Sequence, residues 1–188
     1  MAIVALIMGA VVVGSGQLWS SLLRHSSTMI AGAIRVGFSR ASATSKSVRL
    51  VMDFTENEIW LEEGSRIVKG PTAPRTAFRE IDAMGLAAST PGKGHKALER
   101  GIKFREVQTG HDDQPRREGR AYLYFWPGGQ TERASIQLKV GEANEEKDAI
   151  SLLVAPLTAK VTVKDGAVVL AKPIDDKESS DREDPGAF

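Results

Sequence analysis

The chain has 188 residues, a net charge of +1 and no cysteine. The absence of cysteine excludes a disulfide scaffold, a thiol nucleophile and thiolate-bound zinc or iron–sulfur centres. The nearly neutral sum hides an uneven distribution of charge: residues 1–23 carry no charged side chain, residues 24–52 are basic, residues 53–174 are balanced and residues 175–188 are acidic. The composition therefore indicates a chain assembled from distinct parts.

Residues 1–23 predict a helix that is apolar on every side. At ~1.5 Å per residue the helix would be ~34 Å long, about the thickness of the hydrocarbon layer of a bilayer. We interpret this segment as a membrane-spanning or filament-core helix. A cleaved signal peptide and a buried helix of a soluble domain are the alternatives, but a signal peptide would need basic residues before the apolar run.

Residues 24–46 predict that the helix continues in amphipathic form. Small and apolar side chains recur at three- and four-residue steps, which is the spacing of one helix face: Leu22, Ser26, Met29, Ile30, Ala33, Ile34, Gly37, Phe38 and Ala41. The polar side chains fall mostly on the other side: Arg24, His25, Ser27, Thr28, Arg35, Ser39 and Arg40. Because no proline precedes Pro71, we expect one unbroken helix to about Thr44, with a folded domain packed on its apolar stripe.

Residues 47–172 predict an antiparallel β domain. Val48–Phe54 and residues 58–62 predict a hairpin, and further strands are expected at 102–107, 121–126, 134–140, 150–155, 159–163 and 167–170. The sequence Lys164-Asp165-Gly166 is typical of a hairpin turn between the last two strands. The spacing favours an antiparallel arrangement over βαβ units.

Two segments of this region predict little regular structure. Residues 63–100, rich in glycine and proline, are expected to form an inserted loop with one short amphipathic helix at 77–87. Residues 173–188 are acidic, contain two serines and end near Pro185-Gly186, which predicts a disordered tail.

The chain resembles the H-type minor pseudopilins of type II secretion systems, which belong to the type IV pilin-like superfamily (GspH/FimT-like). Four segments carry the resemblance: MAIVALIMGAVVV, AGAIRVGFSRASATSKSVRLVMDF, YLYFWPGGQTERASIQL and LLVAPLTAKVTV. The last segment matches an LTGRV pattern of the family, with Ala159 in the place of glycine. The resemblance covers about residues 1–52 and 121–163, whereas residues 63–118 match no motif of the family.

The amino terminus departs from the family pattern. Family members begin with a basic leader that is cut after a glycine, followed by phenylalanine and by glutamate at the fifth mature position. None of these features is found here, so we interpret Met1 as a residue within the mature helix and the start codon as assigned too late. A truncated form and a divergent family member are the alternatives.

The resemblance implies an α+β, pilin-like fold and a structural role rather than catalysis. It implies a minor pseudopilin that assembles near the tip of a periplasmic pseudopilus and helps to drive protein export. The amino-terminal helix would cross the inner membrane once, with the β domain in the periplasm, and would then contact other minor pseudopilins and the major pseudopilin. The alternatives are a minor pilin of a type IV pilus, acting in adhesion, motility or DNA uptake, and a membrane-tethered β domain that never polymerises.

No catalytic, cofactor-binding or metal-binding residue is assigned, and neither a small-molecule substrate nor a nucleic acid is expected as a partner. Residues 91–96 resemble a phosphate loop but lack its G-x-x-x-x-G-K-[ST] spacing. Ser151 has no histidine and aspartate pattern near it that would predict a catalytic triad.

Two further groups of side chains are candidate sites. One offers metal-ligating side chains without the ladder of a calcium loop: His111, Asp112 and Asp113. The other combines basic and aromatic side chains, a pattern that can bind single-stranded nucleic acid: Arg116, Arg117, Arg120, Tyr122, Tyr124 and Trp126. The acidic carboxyl end would repel phosphate, which disfavours nucleic-acid binding.

Overall fold

The computed structural model describes residues 2–64, 78–82, 90, 92–142 and 148–170, with side chains described from residue 18 onward. This part of the chain forms one long helix, α1, and ten strands. Their bounds are α1 Ala2–Thr44, β1 Val48–Asp53, β2 Glu58–Gly64, β3 Phe78–Ile81, β4 Lys96–Ala97, β5 Ile102–Thr109, β6 Arg120–Trp126, β7 Gln130–Thr131, β8 Ala134–Val140, β9 Ala149–Val154 and β10 Val161–Asp165.

Helix α1 confirms the predicted unbroken helix to Thr44. The helix ends where Ser45 adopts a left-handed backbone with φ of 54°, a conformation that commonly stops a helix. All nine residues of the predicted stripe are buried or half-buried. The prediction for Ser27 was wrong: this residue is buried, because its Oγ donates a hydrogen bond to the Leu23 carbonyl within the helix and needs no solvent.

The strands form two antiparallel sheets. The first has the order β3-β2-β1-β6-β7, with β4 also paired to β2, and the second has the order β10-β9-β8-β5. The predicted β1–β2 hairpin is confirmed, with Leu50 opposite Leu61 and Asp53 opposite Glu58. The division into two sheets goes beyond the sequence-based expectation of a single small sheet domain.

The core lies where α1 crosses the two sheets. Alternate residues of the strands turn toward the helix, and buried side chains from α1 and both sheets form one apolar cluster. Ile30 and Ile34 of the helix, Leu50 and Phe125 of the first sheet and Ile136 of the second are fully enclosed. The same cluster buries one face of each sheet and the apolar stripe of the helix. The helix and the two sheets therefore form one packed unit.

Two local predictions were wrong. The helix expected at 77–87 is replaced over residues 78–81 by strand β3, which pairs with β2, while residues 83–89 lie outside the described part. The described part of the predicted insertion therefore includes strands β3 and β4. The strand expected at 167–170 and the hairpin turn expected at 164–166 do not form either. Lys164 and Asp165 belong to β10, and Gly166, with φ of +85°, turns the chain onto the outer face of the second sheet.

Two predictions fall mainly on residues that are not described. Within the part of the chain whose side chains the structure describes, no helix combines the length and hydropathy that crossing a membrane requires. The predicted span 1–23 rests mostly on residues 1–17, whose side chains lie outside that part. The predicted tail, residues 173–188, also lies outside the described residues.

Candidate assembly surface

Helix α1 has one face buried against the sheets and one face turned to solvent. Ile30 and Ile34 are 0% exposed, whereas Leu18 and Val36 are exposed large hydrophobic side chains, at 58% and 46%. Arg24 and Arg35 are also exposed, and within the described residues neither has an ion-pair partner. Exposed apolar and unpaired basic groups along one helix make this face a candidate surface for contact with another protein.

The turn before β5 holds the helix where it leaves the sheets. The Ser26 hydroxyl accepts a hydrogen bond from the Glu99 backbone N–H at 3.1 Å, and His25 Nδ1 lies 2.8 Å from Glu99 Oε1. A β-carbon added at Gly101, whose φ is +84°, would lie 2.7 Å from the Trp19 ring. These contacts fix the direction in which the amino-terminal part of α1 points away from the β domain.

A buried carboxylate fixes the other end of the helix. Glu63 of β2 accepts hydrogen bonds from Arg40 Nε and from Lys46 Nζ, each at 2.6 Å, and its side chain is only 11% exposed. Burial alone would raise the pKa of Glu63, but the hydrogen bonds and charges of Lys46 and Arg40 outweigh it and hold the pKa below its usual range. The helix end is therefore tied to the first sheet by charge as well as by packing.

An apolar groove lies between the exposed helix face and the edge of the first sheet. Its volume is about 350 Å³. Met29, Gly32 and Val36 line it from the helix, and Trp60 and Ile81 line it from β2 and β3. The groove joins the exposed helix face to the β domain, so that a neighbouring helix packed on α1 would contact both.

The outer face of the first sheet carries a buried cation. The Arg49 side chain is 3% exposed, and its Nε and Nη2 lie 2.7 and 2.6 Å from Glu62 Oε2. The guanidinium also lies over the rings of Phe78 and Tyr122, at 4.0 and 4.5 Å from their centroids. Trp60 Nε1 donates to the other Glu62 oxygen at 3.0 Å. This arrangement satisfies a buried charge and so stabilises the sheet rather than presenting a binding site.

The predicted basic cluster beside β6 is neutralised. Each arginine is paired with a carboxylate: Arg116 with Asp112, Arg117 with Glu106 and Arg120 with Asp53. Burial would raise the pKa of Asp53 and Asp112, but hydrogen bonds from Arg120 and Arg116, respectively, with smaller contributions from other groups, lower both values. Paired arginines give no net positive patch, so this arrangement does not favour a phosphate backbone.

The His111 segment is held together by a residue that the sequence analysis missed. Glu132, 8% exposed, accepts hydrogen bonds from His111 Nδ1 at 2.7 Å, from the His111 N–H at 3.1 Å and from the Tyr124 N–H at 2.9 Å. Asp112 is engaged by Arg116 through two hydrogen bonds. Two of the three candidate ligands, His111 and Asp112, are thus engaged by protein partners. The only sequence signal for Glu132 is a lone acid after the Pro127-Gly128-Gly129 turn.

The glycine-rich turn at 92–95 also binds a carboxylate. The Gly92 N–H, which a phosphate loop would offer to its ligand, donates to Glu80 Oε2 at 2.9 Å. The His95 ring stacks on Trp60 with centroids 4.0 Å apart, and its Nδ1 lies 2.9 Å from Glu58 Oε2. The turn therefore connects β2 and β3 through these contacts and stabilises their pairing.

The observed architecture defines a class. A long amino-terminal helix whose second half packs across small antiparallel sheets is the pilin-like α+β fold, and the predicted fold class is confirmed. A solved structure with a similar fold is that of the minor pseudopilin EpsH from the Type 2 Secretion System of Vibrio cholerae. The similarity covers 80% of this chain and 99% of that chain, with a TM-score of 0.50 and 8% sequence identity.

At this identity the likeness shows the fold alone, and that fold is the one of the H-type pseudopilins that the sequence motifs indicate. No family model matches the sequence. No curated protein matches it either.

Proposed function

We propose that the chain is a structural subunit of a filament, a minor pseudopilin of a type II secretion system placed near the tip of a periplasmic pseudopilus. The observation that carries this proposal is that the two halves of α1 have different surroundings. Its second half is buried in the β domain, while the helix continues for ~17 residues, about 25 Å, on the amino-terminal side of its first described contact, Trp19 with Gly101.

In the proposed assembly, the apolar first half of α1 lies in the inner membrane before assembly and among the helices of neighbouring pseudopilins afterwards. Both surroundings are apolar, so the transfer between them needs little free energy from hydration, and packing decides the association. The exposed helix face with Val36, together with the groove lined by Gly32 and Trp60, is the proposed contact surface for the major pseudopilin or another minor one.

The proposal is tested by deleting the gene in its source bacterium and following an exported protein. We expect the exported protein to accumulate in the periplasm and export to return with the wild-type gene. Two substitutions form a matched pair, because Val36 on α1 and Leu157 in the turn between β9 and β10 are both exposed apolar side chains, at 46% and 64%. Val36→Arg should fail to restore export and Leu157→Arg should restore it, while both purified variants keep the wild-type melting temperature.

The same strains separate the alternatives. Loss of surface pili with normal export would assign the chain to a type IV pilus, and normal export with normal pili would favour a tethered domain that does not polymerise. Because the chain has no cysteine, single cysteines at Ser39 or Thr28 can be cross-linked to cysteines in candidate partner helices without background. Cross-links at both helix positions, absent when the cysteine replaces the exposed Leu157, would support assembly through α1.

A further inference from the structure

The outer face of the second sheet, opposite the core, carries buried polar side chains. Ser135, Gln137 and Ser151 are 1%, 1% and 0% exposed. Strand pairing sets Gln108 of β5 opposite Ser135 and sets Gln137 opposite Ser151, so the four side chains form one compact patch. We call these four residues the cradle. A buried polar group is costly unless it is hydrogen-bonded, so the partners of the cradle decide what it is built to hold.

Apart from Arg105 Nη1, which donates to Gln137 Oε1 at 2.9 Å, the partners are main-chain atoms of residues 166–170, which we call the strap. Ser151 Oγ donates to the Gly166 carbonyl at 2.6 Å and accepts from the Val168 N–H at 2.9 Å. The Val168 carbonyl accepts from Ser135 Oγ at 2.6 Å and from Gln137 Nε2 at 3.1 Å.

Gln108 binds both main-chain groups of Leu170. Its Oε1 accepts the Leu170 N–H at 2.9 Å, and its Nε2 donates to the Leu170 carbonyl at 3.4 Å. A glutamine amide used in this way imitates the peptide group of a neighbouring strand. Within the described residues, the strap residues between these positions make no recorded hydrogen bond to the cradle, and Val169 is 64% exposed.

The contacts therefore repeat at residues 166, 168 and 170, the two-residue period of an extended chain. They involve the backbone and not the side chains of the strap. A surface that holds its occupant through main-chain groups at alternate positions accepts other extended segments as well, which is the basis of strand-addition recognition. The strap is also joined to the domain through Gly166, where φ is +85°.

We propose that the cradle is a peptide-binding site for an extended polypeptide segment of another protein, recognised through its main chain, and that the strap occupies this site in the isolated chain. The strap competes with an incoming segment because it is tethered, at an effective concentration in the mM range. Binding in trans requires the strap to leave, so weakening the strap should strengthen binding.

The probe is a fluorescein-labelled peptide with the sequence of residues 164–171, titrated into the full-length chain. Val168→Pro removes the N–H that donates a hydrogen bond to Ser151 Oγ and should release the strap. This variant should therefore bind the peptide at least tenfold more tightly than the wild type. Val169→Pro is the matched control, because the exposed neighbour donates no recorded hydrogen bond to the cradle. Its affinity should stay at the wild-type level.

Two peptide variants test recognition of the main chain. Methylation of the peptide nitrogens that correspond to Val168 and Leu170 should abolish binding, whereas alanine in place of Val169 should preserve it. The triple variant Val168→Pro/Gln108→Ala/Ser151→Ala should not bind the peptide.

A folded Val168→Pro chain that binds no better than the wild type would overturn the proposal, as would equal binding of the methylated peptide. If Val168→Pro does not fold, Leu170→Pro serves the same comparison at the far end of the strap. Amide exchange supplies a reading on the wild-type chain. Excess peptide should accelerate exchange at Val168 and Leu170 but not at Leu152, and unchanged exchange would also contradict the proposal.

Discussion

Gly37 of α1 lies directly against Phe125 of β6: a β-carbon added at residue 37 would stand 2.7 Å from Cε2 of the ring. The ring is 0% exposed and cannot move away freely. At this point the helix backbone itself packs on the sheet. Gly32, five residues earlier, faces open space, with nothing within 4 Å of a β-carbon added there.

This contrast predicts opposite effects of the same substitution. Gly37→Ala should lower the free energy of unfolding by about 1–3 kcal/mol, because the clash in the core outweighs the gain in helix propensity. Gly32→Ala should raise it by up to about 1 kcal/mol, because only the propensity changes. Urea unfolding of both variants measures the difference, and equal stabilisation by both would contradict the close contact of Gly37 with Phe125.

Arg49 is predicted to be among the most sensitive positions of the first sheet. Arg49→Met should cost about 3–5 kcal/mol, because it leaves the Glu62 carboxylate, 14% exposed, without its cation. Arg49→Lys should cost less, since it keeps the charge and loses the stacking on Phe78 and Tyr122.

The double variant Arg49→Met/Glu62→Met separates the pair from the packing. It should be more stable than Arg49→Met alone, because no unpaired charge remains. Arg24→Met, on the exposed helix face, is the control for removing a positive charge and should change stability by less than about 0.5 kcal/mol. Thermal unfolding that ranks Arg24→Met beside Arg49→Met would refute the role of the buried cation.

Acid should loosen the end of α1 through Glu63. Its pKa is lowered in the folded chain, so the folded state binds this proton less readily than the unfolded state, where the value is 4.5. The stabilising contribution is therefore complete above that pH and is lost as the pH falls through the lower, folded value. We expect Glu63→Gln to reduce stability at neutral pH and to flatten the fall in stability below about pH 4.5.

Glu142 offers a control with the same chemistry in a different place. Its pKa is also lowered, by a hydrogen bond from Lys103, but its side chain is 82% exposed. Water screens such a pair, so Glu142→Gln should leave the pH dependence close to that of the wild type. If the two variants give parallel curves of stability against pH, the buried pairing of Glu63 with Arg40 and Lys46 does not anchor the helix.

The helix stripe and most of the strands were predictable because their signal is local. The three- and four-residue spacing of Ile30, Ile34, Gly37 and Ala41 needs no knowledge of the rest of the chain, and each of them is buried. Strand β3 was not predictable in this way. Phe78 and Ile81, three residues apart, suit a helix face, and only pairing with β2 makes them a strand.

The polar contacts also differ in whether the sequence predicts them, depending on how far apart the partners lie along the chain. The Arg116–Asp112 pair spans four residues and is readable as a local motif, but the Arg120–Asp53 pair joins residues 67 apart in sequence. The apolar sequence of residues 167–170 predicts a strand, but these residues pair with no strand. The sequence evidence for the strap is in other strands, where the polar residues Ser135, Gln137 and Ser151 alternate with the core residues of β8 and β9. These polar residues indicate a binding surface only when the pairing of β8 with β9 is known.

The turn between β9 and β10 holds a strained residue. Leu157 has a φ of 69°, a left-handed conformation that costs a non-glycine residue about 1 kcal/mol or more, and it is 64% exposed, so its side chain contributes little burial. Leu157→Asn should raise the free energy of unfolding by about 0.5–1 kcal/mol, because asparagine tolerates this conformation. Leu157→Ala keeps the β-carbon that causes the strain and should give little gain. Urea unfolding of the two variants tests this directly, and equal stability would mean that the turn imposes no left-handed strain at residue 157.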